Sequence, residues 1–182
     1  MYFSFGTVIS GLPFASAAYR ATLEALATLP VRVLLTLGRG QASIDLGEIP
    51  ANVHVEEWVA QCDALSQASL VVCHGGSGTT FGALEAGIPL VVIPFMADQP
   101  SNGAIVEQAG AGLMVQPERL MEGGLNVVPE RDAPRIRAAI QRVLTEDSFR
   151  GAAQAISGEM QALPRLDQLL TELLDAGKKA GP

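Results

Sequence analysis

The sequence predicts an α/β protein built on a Rossmann-like, doubly wound parallel sheet of about six strands, followed by C-terminal helices. Short apolar runs bounded by glycine and proline alternate along the chain with longer amphipathic segments, which is the pattern of strands and helices in such sheets. Hydrophobic residues make up 48% of the chain and aromatic residues only 5%, which suits strands covered by helices on both faces. The length of 182 residues predicts one domain, spanning 1–182, with a core of its own.

The predicted elements alternate regularly along the chain. Strands are expected at 2–5, 31–37, 53–58, 70–73, 90–93 and 113–116. Helices are expected at 14–29, 62–67, 79–85, 102–109, 133–144 and 148–160, and a last helix is expected to pack a leucine face on the core, formed by Leu166, Leu169, Leu170, Leu173 and Leu174. We expect Cys62, Cys73, Ile105 and Val106 to be buried, and the Gly123–Gly124 region to form a loop.

The stretch from residue 69 to residue 99 has the most informative pattern. A short apolar run ends at His74, and the glycine-rich turn 75–78 leads into a helix that Ser77 or Thr79 would cap. Such a turn presents free N–H groups and the positive end of the helix dipole. The sequence therefore predicts a site for a phosphate or a diphosphate.

A second turn, Gly6-Thr7, follows the first predicted strand. In the common strand order 3-2-1-4-5-6, strands one and four are neighbours where the order reverses, and ligands bind at that point. We therefore expect the Gly6-Thr7 turn and the turn after His74 to flank one crevice.

Composition and missing motifs argue against several functions. A net charge of −7 leaves no basic face for a nucleic-acid partner. The chain has no G-x-x-x-x-G-K-[ST] and no intact G-x-G-x-x-G, so a P-loop NTPase and a dinucleotide dehydrogenase are disfavoured. It also has no Asp-x-Asp pair or His/Asp cluster for a metal ion. Because no signal peptide opens the chain and its apolar runs are shorter than the ~18 residues of a membrane helix, we expect a cytoplasmic protein without membrane contact.

Four short motifs carry a resemblance: W-V-A-Q at 58–61, H-G-G-S-G-T at 74–79, A-G-I-P at 86–89 and D-Q at 98–99. Their order and spacing resemble the donor-binding signature of family 1 glycosyltransferases of the GT-B fold. The sequence is similar in character to those of bacterial natural-product glycosyltransferases, such as the enzymes that glycosylate calicheamicin. The resemblance runs from F-G-T at 5–7 onward but covers only the C-terminal half of such an enzyme. It implies that the N-terminal acceptor domain is absent from this chain, which agrees with a chain that opens directly on its first strand.

The resemblance also implies a role for each matching residue. The nucleobase would contact Trp58 and the backbone of Val59, and the sugar hydroxyls would contact Asp98 and Gln99. The diphosphate would be bound by His74, Gly76, Ser77, Gly78 and Thr79, with Gly6 and Thr7 beside it. No catalytic residue is expected in this chain, because the base of such enzymes is a histidine of the N-terminal domain.

Two positions depart from the family pattern. Ala60 replaces the usual proline, and Gly82 stands where many relatives carry a glutamate that holds the ribose hydroxyls. Because a 2′-deoxyribose has one hydroxyl fewer, the missing carboxylate favours a dTDP-deoxysugar over a UDP-sugar. Glu85, one helical turn later, is a candidate substitute.

The resulting hypothesis is the donor half of an inverting glycosyltransferase, which needs no cofactor and no metal ion. Its partners would be a nucleotide sugar and, through the N-terminal domain, a small-molecule acceptor; a homodimer is left open. Two alternatives share the fold, a sugar-nucleotide epimerase and a GlcNAc transferase, and a third is a non-catalytic nucleotide-binding module. Structural readings of the same residues also stay open, with Trp58 in a core and Asp98 as a helix cap. For the leucine face at 166–174, a brace against the other domain of the whole enzyme is a second option.

Overall fold

The computed structural model describes residues 1–116, 119–120, 125–164, 169–170 and 174. Its main strands are β1 Tyr2–Ser4, β2 Val33–Thr36, β3 Val53–Glu56, β4 Val71–Cys73, β5 Leu90–Val92 and β6 Gly112–Met114. They form one parallel sheet in the order β3-β2-β1-β4-β5-β6. The predicted fold class and strand order are therefore confirmed, and the order reverses between β1 and β4. A separate antiparallel pair joins β7 Arg119–Leu120 to β8 Asn126–Val127.

Helices connect the strands and follow the sheet. They are α1 Gly6–Ser10, α2 Ala15–Leu26, α3 Gln61–Ser66, α4 Ser77–Glu85, α5 Gln99–Gln108, α6 Ala133–Thr145 and α7 Asp147–Ala162. A 3₁₀ turn, Glu130–Asp132, leads into α6, which has a proline in its first turn where a missing N–H costs nothing.

Neighbouring residues of each central strand face two different hydrophobic cores. Phe3 and Val72 point into one core, which is shared with α2 and α6. Tyr2 and Val71 point into the other, which is shared with α3, α4 and α7. Because strand side chains alternate between the two faces of a sheet, both faces must be apolar. This explains the unbroken apolar runs of the sequence.

Two predicted turns differ from the structure. Gly6 and Thr7 begin α1 instead of forming an isolated turn, and Gly6 has a φ of 71° that favours glycine. Helix α4 begins at Ser77, and the cap position is Gly76, without a side-chain hydrogen bond. The prediction of Ser77 or Thr79 as the cap is therefore wrong, because the extended backbone of Gly76 brings the chain directly into the helix.

Burial was predicted wrongly where a helix covers only part of the sheet. Cys73 is buried in β4, but Cys62 lies exposed in the first turn of α3. Val106 is buried and Ile105 is exposed, because only one side of α5 faces the sheet. The core-facing leucine stripe is wrong for its described members, since Leu169, Leu170 and Leu174 are exposed. Leu166, Leu173 and the Gly123–Gly124 region lie outside the described residues.

Candidate functional site

A cleft of about 290 Å³ opens at the carboxyl ends of β1 and β2, beside the point where the strand order reverses. We call it the switch-point cleft. Its lining includes five residues predicted for the site: Gly6, Thr7, Trp58, Val59 and Thr79. The remaining lining residues are Tyr2, Ser4, Thr36, Gly38 and Gln61. The start of α1 and the start of α4 therefore face one crevice, as the sequence predicted.

The other six predicted residues lie on the segments that follow β4 and β5. His74 links them to the cleft, because its ring lies between two glycines. A Cβ atom at Gly6 would lie 2.9 Å from Cε1 of His74, and a Cβ atom at Gly76 would collide with Nε2. Both positions must lack a side chain for the ring to stand where it does.

His74 is neutral in the unliganded protein at neutral pH. Burial lowers the pKa of its ring below the ordinary value of 6.5, while the Asp98 carboxylate and the Ser4 backbone act in the opposite direction. Its Nδ1 atom is buried, and no described residue makes a well-formed hydrogen bond to it. An anion beside the ring would favour the charged imidazolium.

The first turn of α4 presents N–H groups that no side chain in the described part of the chain caps. Gly75 makes this approach possible, since it has a φ of 87° and a Cβ atom there would collide with Val92 and with the Gln99 carbonyl. Uncapped N–H groups at a helix start, together with the helix dipole, bind anions. The anion site predicted from the glycine turn therefore has the backbone geometry it needs.

The Asp98 carboxylate joins the two loops beside this helix start. Its Oδ2 atom accepts hydrogen bonds from the Ser77 hydroxyl and from the Asn102 amide, each at 3.0 Å. These two bonds lower the pKa of Asp98, so the exposed carboxylate is ionised at neutral pH. The same Asn102 amide also donates to the Gly75 carbonyl at 2.8 Å. Asp98 also stands at the cap position of α5, but its side chain makes no capping hydrogen bond there.

Gln99 is buried, and its side-chain carbonyl accepts hydrogen bonds from the backbone N–H groups of Phe95 and Met96. Asn126 ties the same loop from the other side, because its backbone N–H donates to the Phe95 carbonyl and its side-chain amide donates to the Pro94 carbonyl. The side chains of Gln99 and Asn126 thus hold the backbone of residues 94–96, in the loop that leads to Asp98.

Gln61 connects α4 to the segment that carries Trp58, the residue predicted to contact the nucleobase. Its side-chain amide donates to the Gly78 carbonyl at 3.4 Å, and its carbonyl accepts from the Thr79 hydroxyl at 3.3 Å. A Cβ atom at Gly82 would lie 2.8 Å from its Nε2 atom. Gln61 therefore occupies the space in front of Gly82. Glu85 is the last residue of α4, and its backbone carbonyl accepts a hydrogen bond from the Ser157 hydroxyl of α7.

Reasoning from the sequence missed two residues of this arrangement. Gln61 is the last residue of the W-V-A-Q motif, so its place in the motif was the available signal. Asn102 lies four residues after Asp98, a spacing that puts both side chains on one face of a helix start. The sequence predicted α5 from residue 102 onward, which hid this relation.

A larger groove of about 790 Å³ lies elsewhere, between α3 and the amino ends of β1 and β2. Its lining includes Met1, Arg32, His54 and Asp63. In parallel α/β sheets, ligands bind outside the carboxyl ends of the strands. The switch-point cleft meets that condition and this groove does not, so size alone does not identify the site.

Residues 20–175 match the family model described as erythromycin biosynthesis protein CIII-like, C-terminal domain. The chain belongs to this family. Tylactone mycaminosyltransferase of Streptomyces fradiae is 34% identical to this EryCIII-like domain over 155 residues, which are 85% of this chain and 32% of that protein. The resemblance to bacterial natural-product glycosyltransferases is therefore confirmed, and the chain spans about a third of that relative.

Solved structures agree with the family. The glycosyltransferase SnogD from Streptomyces nogalater is 27% identical, with a TM-score of 0.76, over 96% of this chain and 43% of that one. The spinosyn rhamnosyltransferase SpnG complexed with thymidine diphosphate is 26% identical, with a TM-score of 0.77, over 96% of this chain and 45% of that one. The EryCIII-like domain therefore corresponds in fold to less than half of the chain of each enzyme.

The described residues contain no group of three or more His, Cys, Asp or Glu side chains placed to hold a metal ion. Within the same part of the chain, the helices are too short or too polar to cross a bilayer.

Proposed function

We propose that this EryCIII-like domain is the donor-binding half of an inverting glycosyltransferase that glycosylates a small-molecule natural product. The observation that carries the proposal is the convergence, at the reversal of the strand order, of an exposed tryptophan, a half-buried histidine and an uncapped helix start. The residues proposed to contact the nucleobase and those proposed to bind the diphosphate would thus line one crevice. The names of the relatives and solved structures, which are glycosyltransferases, support this reading.

The donor would span the crevice from Trp58, past the start of α4, to Asp98. The nucleobase would stack on Trp58, which is 53% exposed, beside the backbone of Val59. The diphosphate would then lie at the start of α4, within reach of the N–H groups of residues 76–79 and of His74. The transferred sugar would reach Asp98, whose exposed carboxylate accepts hydrogen bonds from hydroxyl groups.

The chemistry would be direct displacement at the anomeric carbon. An acceptor hydroxyl attacks, the bond from the anomeric carbon to the diphosphate oxygen breaks, and the nucleoside diphosphate leaves with the electron pair. The base that takes the acceptor proton would come from an N-terminal domain outside this chain. The part of this chain is to stabilise the charge on the leaving diphosphate with preorganised N–H groups and His74, without a metal ion. Removing one preorganised donor of this kind raises a barrier by about 3 kcal/mol in other enzymes.

We further propose that the donor is a dTDP-sugar. The position that would carry a ribose-binding glutamate is Gly82, and Gln61 fills the space before it. An amide in that place accepts fewer hydrogen bonds from ribose hydroxyls than a carboxylate does. The resulting loss of binding free energy is smaller for a deoxyribose, which has one hydroxyl fewer. The structure of SpnG with thymidine diphosphate supports the same choice.

The proposal is tested by calorimetric titration of the chain with dTDP and with UDP. We expect saturable binding of both nucleotides, with dTDP the tighter of the two. Trp58→Ala should abolish most of the affinity for both, because the base platform is lost. Tighter binding of UDP would overturn the choice of dTDP, and binding of neither nucleotide would overturn the function.

A further inference from the structure

Arg39 lies over the ring of Trp58 at the edge of the switch-point cleft. The carbon at the centre of its guanidinium is 4.4 Å from the ring centroid, within the range of a cation–π contact. Arg39 is exposed, and it stands between two glycines with positive φ, Gly38 at 95° and Gly40 at 78°. The contact therefore brings a charged side chain from the loop after β2 onto the proposed base platform.

Backbone hydrogen bonds fix this loop to the segment that carries Trp58. The Gly38 N–H donates to the Glu57 carbonyl at 2.8 Å, and the Gly40 N–H donates to the Glu57 carboxylate. Both anchors of Arg39 are thus on the residue that precedes Trp58. The position of the guanidinium relative to the ring is set by the same short segment of chain.

The two faces of the Trp58 ring have different surroundings. Trp58 lines the switch-point cleft together with Gly38 and Thr7, whereas Arg39 is not part of the lining. In the proposed arrangement, Arg39 covers the ring face turned away from the cleft and leaves the face toward the cleft open to a planar ligand.

We propose that Arg39 is a positioning residue that holds the Trp58 ring with one face toward the cleft, so that this face is ready to stack on a nucleobase. The inference rests on the proposed function, since it assigns the ring a base to stack on. A half-exposed tryptophan without this support would sample other rotamers, and binding would have to order it. The guanidinium on the outer face orders the ring before the nucleotide binds, so binding pays less of that entropic cost.

Trp58 is the only tryptophan of the chain, so its fluorescence reports on this one ring. We compare the wild-type chain with Arg39→Ala and Arg39→Lys, and use Arg150→Ala, an exposed arginine of α7, as the matched control. For Arg39→Ala we expect stronger quenching of Trp58 by acrylamide and dTDP affinity lower by about fivefold. Affinity for inorganic pyrophosphate should not change, because pyrophosphate has no base. Arg39→Lys should recover part of the loss, and Arg150→Ala should match the wild type.

The outcomes separate this inference from the proposed function. If the wild-type chain binds dTDP and Arg39→Ala equals it in both quenching and affinity, the positioning role of Arg39 is wrong and the function stands. Equal losses for dTDP and pyrophosphate would also contradict the role, since they would indicate a general effect of charge. If the wild-type chain binds no nucleotide, the function fails and the assignment of Arg39 fails with it.

Discussion

His74 shows how single residues decide the chemistry of this site. Its ring stands where it does because Gly6 and Gly76 carry no side chains, and its burial lowers its pKa. The protein thus holds an uncharged imidazole next to a helix start that attracts anions. In the proposed function, a diphosphate bound there would bring the negative charge that favours the protonated imidazolium.

His74→Ala should weaken the binding of dTDP by about tenfold to a hundredfold, because a hydrogen bond to a charged group is lost. Thymidine, which has no phosphate, should bind the variant as well as it binds the wild type. Calorimetry with both ligands measures the difference. If the two ligands lost affinity equally, His74 would have a structural role only.

The lowered pKa of His74 also predicts how stability depends on pH. The unfolded chain binds the proton more tightly than the folded chain, so the contribution of His74 to the free energy of unfolding is complete above about pH 6.5 and declines as the pH falls below it. Urea unfolding at about pH 7.5 and about pH 5.5 should show a smaller loss of stability for His74→Gln than for the wild type. An equal loss in both proteins would contradict the assignment.

At the scale of elements, the site is made where α3 and α4 meet. Gln61 at the start of α3 hydrogen-bonds to Gly78 and Thr79 in the first turn of α4, and it does so across the bare surface of Gly82. The glycine that weakens α4 as a helix is what allows the neighbouring side chain to approach. Helix stability and site geometry therefore oppose each other at this position.

Gly82→Ala separates the two effects. Alanine should raise the free energy of unfolding by up to about 1 kcal/mol through helix propensity, while its Cβ displaces Gln61 and lowers dTDP affinity several-fold. The matched control is Gly151→Ala in α7, where a Cβ would meet no atom within 4 Å. The control should gain stability without losing affinity. Unchanged affinity in Gly82→Ala would show that the position of Gln61 does not matter for binding.

The sequence predicted these elements well where apolar spacing and glycine or proline define them. It placed all six strands of the main sheet and their order, because buried parallel strands leave continuous apolar runs. It did not predict α1, which is only five residues long, or the exposure of Ile105. Such details depend on which part of a helix the sheet covers, and local sequence does not contain that information. The contacts of Gln61 with α4 and of Asn102 with Gly75 were missed because they join segments that are distant in sequence. The contact of Asn102 with Asp98 was missed because α5 was predicted to begin only at residue 102.

At the scale of the whole molecule, the chain has the fold of less than half of the solved structures it matches. In the proposed mechanism it stabilises the leaving group, whereas the base that activates the acceptor belongs to another domain. We therefore expect the isolated chain to bind a dTDP-sugar without transferring the sugar. Incubation with a dTDP-sugar and candidate acceptors, followed by mass spectrometry, tests this division. Sugar transfer by the chain alone would contradict it.

The central claim is that a nucleoside diphosphate lies in the switch-point cleft with its diphosphate at the start of α4. The most direct test is a titration of the ¹⁵N-labelled chain with dTDP, followed by chemical shifts of the backbone amides and of the Trp58 indole N–H. We predict saturable shifts centred on Trp58 and residues 76–79, with little change at His54 and Asp63 in the larger groove. Shifts centred on that groove, or no saturable shifts, would contradict the account.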